Sequence, residues 1–183
     1  MMSLMSPRSL RHLGLCSIVA AAIVAGSLRT AAADSIDMPR VRSSHAYIRA
    51  MIDEAARRSP SFRRLVEAIE ATDGIVYVED GICGHSVRAC LTMSISSAAQ
   101  YRILRVLVDV RQPDWDVMSS IGHELRHALE VLENASIKTT EAIYLFFRYA
   151  AQATGESFET QAAVSAGNAV RNEVGSFART KWK

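Results

Sequence analysis

Absences narrow this sequence before any motif is read. Proline (4) and glycine (9) are sparse in 183 residues, which excludes collagen-like, mucin-like and low-complexity disordered chains. No apolar run reaches the roughly 20 residues that a membrane-spanning helix needs. No segment repeats. Neither sign of charge dominates, with 21 basic and 19 acidic residues, and cysteine is limited to 3. What remains is 49% hydrophobic and 22% charged, the ordinary composition of one globular domain.

Acidic residues are missing altogether before Asp34, and this front end reads as a secretory signal peptide. Arg8, Arg11 and His12 give a basic start, and Leu13 to Gly26 an apolar run of 14 residues. Ala31, Ala32 and Ala33 match the small-residue cleavage rule, which places the cut after Ala33. An uncleaved anchor is the alternative. Cys16 follows Leu15 where a lipidation site needs a small residue, so no lipid is expected there. The expected division is a signal over 1–33 and one domain over 34–183, secreted or periplasmic, without stable membrane insertion after cleavage. Loss of Arg8, Arg11 and Arg29 leaves 18 basic residues against 19 acidic. A domain so balanced has no bias toward nucleic acid or anionic lipid.

Cleavage also leaves an even pair, Cys83 and Cys90, with Gly84 and His85 between them. In an oxidising compartment such a pair closes a short loop, and a disulfide stapling a β-hairpin is expected. A metal pair with His85 would lack the short separation between cysteines that zinc sites use.

Along the domain, Ser43 and Ser44 can cap a helix over 45–58, and Ser59-Pro60-Ser61 breaks it. A second helix follows over 61–71, with Phe62, Leu65, Val66 and Ile69 on one stripe. After Asp73-Gly74 the pattern changes to period two, giving strands over 75–79, 90–96 and 101–111. The remainder is helical: 116–134, then from Thr139 or Thr140 to about 153, then 156 to about 178. Tyr144, Leu145, Phe146 and Phe147 crowd the middle one, which is expected to be buried on most sides. Segregated elements predict an α+β fold with two N-terminal helices, a small three-stranded antiparallel sheet and three C-terminal helices.

The helix over 116–134 carries Gly122-His123-Glu124-Leu125-Arg126-His127. His123 and His127 stand about one turn apart and project from the same side. Two imidazole nitrogens so placed can reach one zinc ion at ~2.0–2.1 Å. Glu124 points about 100° further round, where a general base can reach a water on the metal. Val117, Ile121, Leu125, Ala128 and Leu132 form the core stripe, and the histidines fall away from it. Gly122 is expected to let a neighbouring strand approach. The bare motif also arises by chance on surfaces; the amphipathic helix around it and the strands before it argue for a site.

A catalytic zinc takes three protein ligands and one open position. His12 leaves with the signal, and His45 and His85 lie upstream, so a carboxylate is the better third ligand. Glu156 and Glu159 both qualify. Glu159 is favoured because it would share a helix face with Ala162, Ala163 and Ala166, small residues that permit close approach.

The runs SSIGHELRHALEVL and ESFETQAAVSAGNAV resemble the gluzincin clan of zinc metallopeptidases in a minimal one-domain form. They also resemble small secreted bacterial H-E-x-x-H proteins without an assigned substrate. The resemblance spans roughly Tyr101 to Val174. It implies zinc held by His123, His127 and Glu159, with Glu124 as the base. Many gluzincins carry Asp four residues after the ligand Glu, where this chain has Ala163. Support for a zinc histidine then has to come from elsewhere, such as a backbone carbonyl. The implied activity is an exported zinc-dependent peptidase acting on a peptide or protein that adds as a strand to an exposed sheet edge. Tyr144, Arg148, Tyr149 and His85 are candidate donors to the oxyanion. The rival readings are a non-catalytic zinc-binding module and an interaction protein without metal.

Overall fold

Alternation of apolar and polar residues after Asp73 makes strand β2 (Gly74–Asp80), whose Val76 and Val78 are fully buried. The same alternation in β5 (Tyr101–Val108) buries Leu104, Val106 and Val108. The computed structural model describes residues 38–84, 87–154 and 158–180. The expected signal over 1–33, with Cys16, lies outside them.

The described residues form an α+β fold with five helices and one mixed sheet of five strands. In chain order these are β1 (Val41–Arg42), α1 (Ala46–Arg58), α2 (Pro60–Glu70), β2, β3 (Ala89–Leu91), β4 (Ser96–Ala98), β5, α3 (Asp114–Glu133), α4 (Thr140–Thr154) and α5 (Gln161–Thr180). The helical expectations hold to within a few residues at most ends. The three-stranded antiparallel sheet does not. β5 runs parallel to β2 along its whole length, from Gly74 opposite Arg102 to Asp80 opposite Val108. β3 and β4 both lie antiparallel on the far edge of β5, and β1 adds in parallel to β2.

Two physical causes explain the difference. Only the ends of the strand expected over 90–96 are strand: Cys90 and Leu91 belong to β3 and Ser96 opens β4, with 92–95 in neither. β5, the longest strand, takes the central position, because it alone is long enough to pair with β2 along one edge and with both β3 and β4 along the other. Neighbours in sequence are therefore not neighbours in the sheet.

The Cys83–Cys90 disulfide is formed. It does not staple a hairpin, because β5 separates β2 from β3. It joins the segment after β2 to β3, and Cys83 Sγ packs near the Leu107 carbonyl of β5.

α3 is the central helix. Val117, Ile121, Leu125, Ala128 and Leu132 are all buried, against the sheet and against α1, α2 and α5. Its C-terminal end is held by one residue of β5. Arg102, 4% exposed, donates from Nη1 to the carbonyls of Val131, Asn134 and Ile137 and from Nη2 to that of Leu132. These include carbonyls that a helix end leaves without partners. The guanidinium also forks onto both carboxylate oxygens of Asp73 at 2.6–3.0 Å. α4 departs from its expected burial: Ile143 and Phe147 turn inward, while Tyr144 and Leu145 are each 45% exposed. Among the described residues no helix is long and apolar enough to cross a membrane.

The Arg102 hydrogen bond holds the Asp73 carboxyl below its usual value, outweighing the opposing effect of burial. A lowered carboxyl pKa stabilises the fold above the unfolded value of about 4 and ceases to do so as pH falls through the folded value. Asp73→Asn is therefore expected to cost about 1–2 kcal/mol near pH 7, a modest figure because the carboxylate is half-exposed. Urea unfolding across pH checks this. The gap between wild type and variant should close below about pH 4; a gap that is constant with pH would contradict it.

Candidate metal centre

His123 and His127 leave α3 on the same side, one turn apart, with ring centroids 4.9 Å from each other. His127 is 4% exposed and stands edge-on to Phe147 of α4 at 5.1 Å. Its Nδ1 lies 3.2 Å from Glu130 Oε2, which leaves Nε2 to face the site. Glu130 Oε1 in turn accepts a hydrogen bond from Thr160 Oγ1 at 2.8 Å. Thr160 is also the cap of α5, since its Oγ1 accepts from Ala163 N at 3.1 Å.

Glu159 is thereby fixed one residue before that cap. Its Oε2 lies 3.2 Å from His123 Nε2 and 3.9 Å from His127 Nε2. The expectation that Glu159 sits on a helix face is corrected: α5 starts only at Gln161, because the chain turns at Phe158 (φ 63°) and Thr160 occupies the capping position. Glu156, the other candidate, lies outside the described residues, as does His85.

Close packing of α3 on α5 brings the candidate ligands together. A Cβ on Gly122 would stand 2.8 Å from Val170 Cγ2, and a Cβ on Gly167 would stand 3.1 Å from the Cβ of His123. Gly122 thus makes room for a helix and not, as expected, for a strand. Ser119 Oγ donates to the Gly167 carbonyl at 3.0 Å across the same contact, and Ala163 is fully buried there.

One ligand atom from each of His123, His127 and Glu159 lies within 4.8 Å of the others. Ligands at ~2.0–2.1 Å on a tetrahedral ion stand roughly 3.3 Å apart, so small adjustments suffice for all three to meet one ion. Two imidazoles and one carboxylate, with a fourth direction open, suit a borderline-soft divalent metal.

Glu124, 6% exposed, points between the histidine side and the core. Its Oε2 accepts the Leu91 N–H of β3 at 2.7 Å, and its Oε1 is 4.0 Å from His123 Nε2. Burial pushes its carboxyl pKa up, against the pull of both histidines and the Leu91 N–H. Glu159 moves the other way, held down chiefly by its hydrogen bond to His123. Burial works to lower the His123 pKa, yet the Glu159 hydrogen bond and the surrounding carboxylates leave it raised. The two carboxyls are thus driven apart in acidity, one by burial and the other by its histidine.

The site opens into two hollows. One, of about 360 Å³, lies on the His123 side beside Arg88, Ser119, Asn168 and Arg171. The other, of about 520 Å³, lies on the His127 side beside Leu91, Met93, Phe147 and Phe158. Ala89, Glu124 and Glu159 line both. Of the expected oxyanion donors, Tyr144, Arg148 and Tyr149 are exposed on α4 and line neither hollow. Tyr144 meets Phe158 at a tilt, with ring centroids 5.6 Å apart.

Glu130 is the functional residue that sequence reasoning missed. The absence of Asp at position 163 suggested a backbone carbonyl behind the histidine, whereas the partner is a carboxylate on the same helix. The signal was present: Glu130 follows His127 by three residues, a spacing that puts the two side chains on one face. Glu130→Gln is expected to weaken metal binding about 10- to 100-fold, as loss of such a supporting carboxylate does, while leaving the helix content intact. Competition against a chromophoric chelator, beside circular dichroism, checks it. Unchanged affinity would show that Glu130 does not position His127.

Comparison of the chain with protein-family models, with curated proteins and with solved structures finds no match, so the reading of this centre rests on its own residues.

Proposed function

We propose that this protein is a zinc-dependent peptidase, exported, with a gluzincin-like arrangement of His123, His127, Glu159 and Glu124. The observation that carries the reading is the convergence of three ligand atoms beside a buried carboxylate, inside a cleft open on two sides. Zinc bound by such a set supplies a water of lowered pKa and polarises a carbonyl.

The chain's own residues do the rest. Glu124 Oε1 lies on the His123 side, where it can take a proton from a water in the cleft and return it to the leaving amine. Glu130 and Phe147 hold the His127 ring in one orientation. Export agrees with the signal-like segment over 1–33 and with the Cys83–Cys90 disulfide, since such bonds persist outside reducing compartments.

The test is a peptide-library digest read by mass spectrometry, with zinc-loaded wild type beside Glu124→Gln. Wild type should cleave, and the variant should retain its zinc while losing about 10²- to 10⁴-fold in rate. Equal cleavage by both would remove Glu124 from the mechanism. Zinc binding without cleavage by wild type would favour a non-catalytic module.

A further inference from the structure

The two hollows differ in chemistry, and the strand between them is a sheet edge. Among the described residues β3 ends the sheet, with β5 on one side and no strand on the other. Arg88 O accepts from Asp109 N just past β5, Thr92 N donates to Arg105 O within it, and Cys90 pairs with Leu107. The backbone groups of Ala89 and Leu91 therefore point away from β5, and the Leu91 N–H meets Glu124. Because Glu124 takes the Leu91 N–H, an extended chain laid along this edge meets the Ala89 backbone groups and the Leu91 carbonyl, with one part in each hollow.

On the His127 side the wall is Leu91, Met93, Phe147 and Phe158, with no cationic side chain among the described residues that line it. On the His123 side Arg88 and Arg171 both contact the carboxylate of Asp116, which is itself 6% exposed as a side chain. Glu124 and Glu159 line this hollow at the metal centre, whereas at its Asp116 end two guanidinium groups share one carboxylate. Both arginine side chains stay about half-exposed, at 57% and 43%, and so within reach of a bound ligand. Arg171 is propped over the Trp115 ring at 5.0 Å, which fixes its position.

We infer that the cleft selects an extended peptide with an apolar side chain on the His127 side of the centre and a carboxylate on the His123 side. The inference rests on the peptidase reading and names its substrate class. β3 itself runs from the cationic hollow toward the apolar one, since Arg88 lines the first and Leu91 and Met93 the second. A strand added antiparallel runs from apolar to cationic, which puts the carboxylate C-terminal to the cleaved bond. That carboxylate is either an acidic side chain or a free chain terminus.

Binding tests this separately from turnover. Fluorescently labelled hexapeptides are titrated by anisotropy into zinc-loaded Glu124→Gln protein, with and without Arg171→Gln, melting curves confirming that both proteins are folded. One peptide carries Phe then Glu across the centre with an amidated end; others replace Glu by Gln, replace Phe by Ser, or keep only a terminal carboxylate. Replacing Glu by Gln should weaken binding about tenfold, the scale of one charged hydrogen bond. Arg171→Gln should erase that difference. Replacing Phe by Ser should weaken binding by a similar factor. Comparison of the Glu and terminal-carboxylate peptides identifies the source of the anion. Equal binding of the Glu and Gln peptides, a preference that survives Arg171→Gln, or no peptide binding would overturn the inference. If the preference holds but wild type cleaves none of these peptides, the peptidase reading fails and the binding preference stands.

Discussion

α3 has to satisfy two demands at once, and the rest of the structure depends on how it does so. One stripe, from Val117 to Leu132, is buried against the sheet and the flanking helices. The adjoining side offers His123, Glu124 and His127 to a cleft. A helix so used must be anchored firmly, because polar groups next to a core are costly unless each finds a partner. Arg102 anchors one end through four carbonyls, and the glycine-mediated contact with α5 anchors the middle.

The same contact assembles the site. Thr160 ends one hydrogen-bonded chain that runs from α5 through Glu130 to His127, and it caps the helix that begins just after Glu159. Glu159, the candidate third ligand, is consequently placed by a helix start and not by a helix face. Carboxylates crowded at one centre repel, and here each has a specific answer: Leu91 N–H for Glu124, His127 and Thr160 for Glu130, His123 for Glu159. A divalent cation among them would answer all three more strongly.

Much of this was legible in the sequence, and for identifiable reasons. Helix spacing alone placed His123, Glu124 and His127; of the small residues expected to permit close helix approach, Ala163 is buried but Ala162 is exposed, and the tightest contacts fall at Gly122 and Gly167. The cysteine pair was legible from its parity. The sheet was not, because hydrophobic alternation identifies strands without fixing their order, and β5 slots between β2 and β3. The pairing partner of Gly122 was misassigned for a related reason: a missing Cβ shows that something approaches but not which element. Glu130 was hidden because a carboxylate three residues after a histidine is common on helices, and position 163, where a supporting Asp would stand, holds an Ala163 that serves packing.

The central claim is that three side chains from two parts of the chain hold one ion. X-ray absorption at the zinc edge, on purified protein loaded with zinc, tests it most directly. The account predicts about one zinc per chain with two imidazole nitrogens and carboxylate oxygen at ~2.0–2.2 Å, and loss of one oxygen ligand in Glu159→Gln. Protein that takes up no zinc, or a ligand shell unaltered by Glu159→Gln, would contradict it.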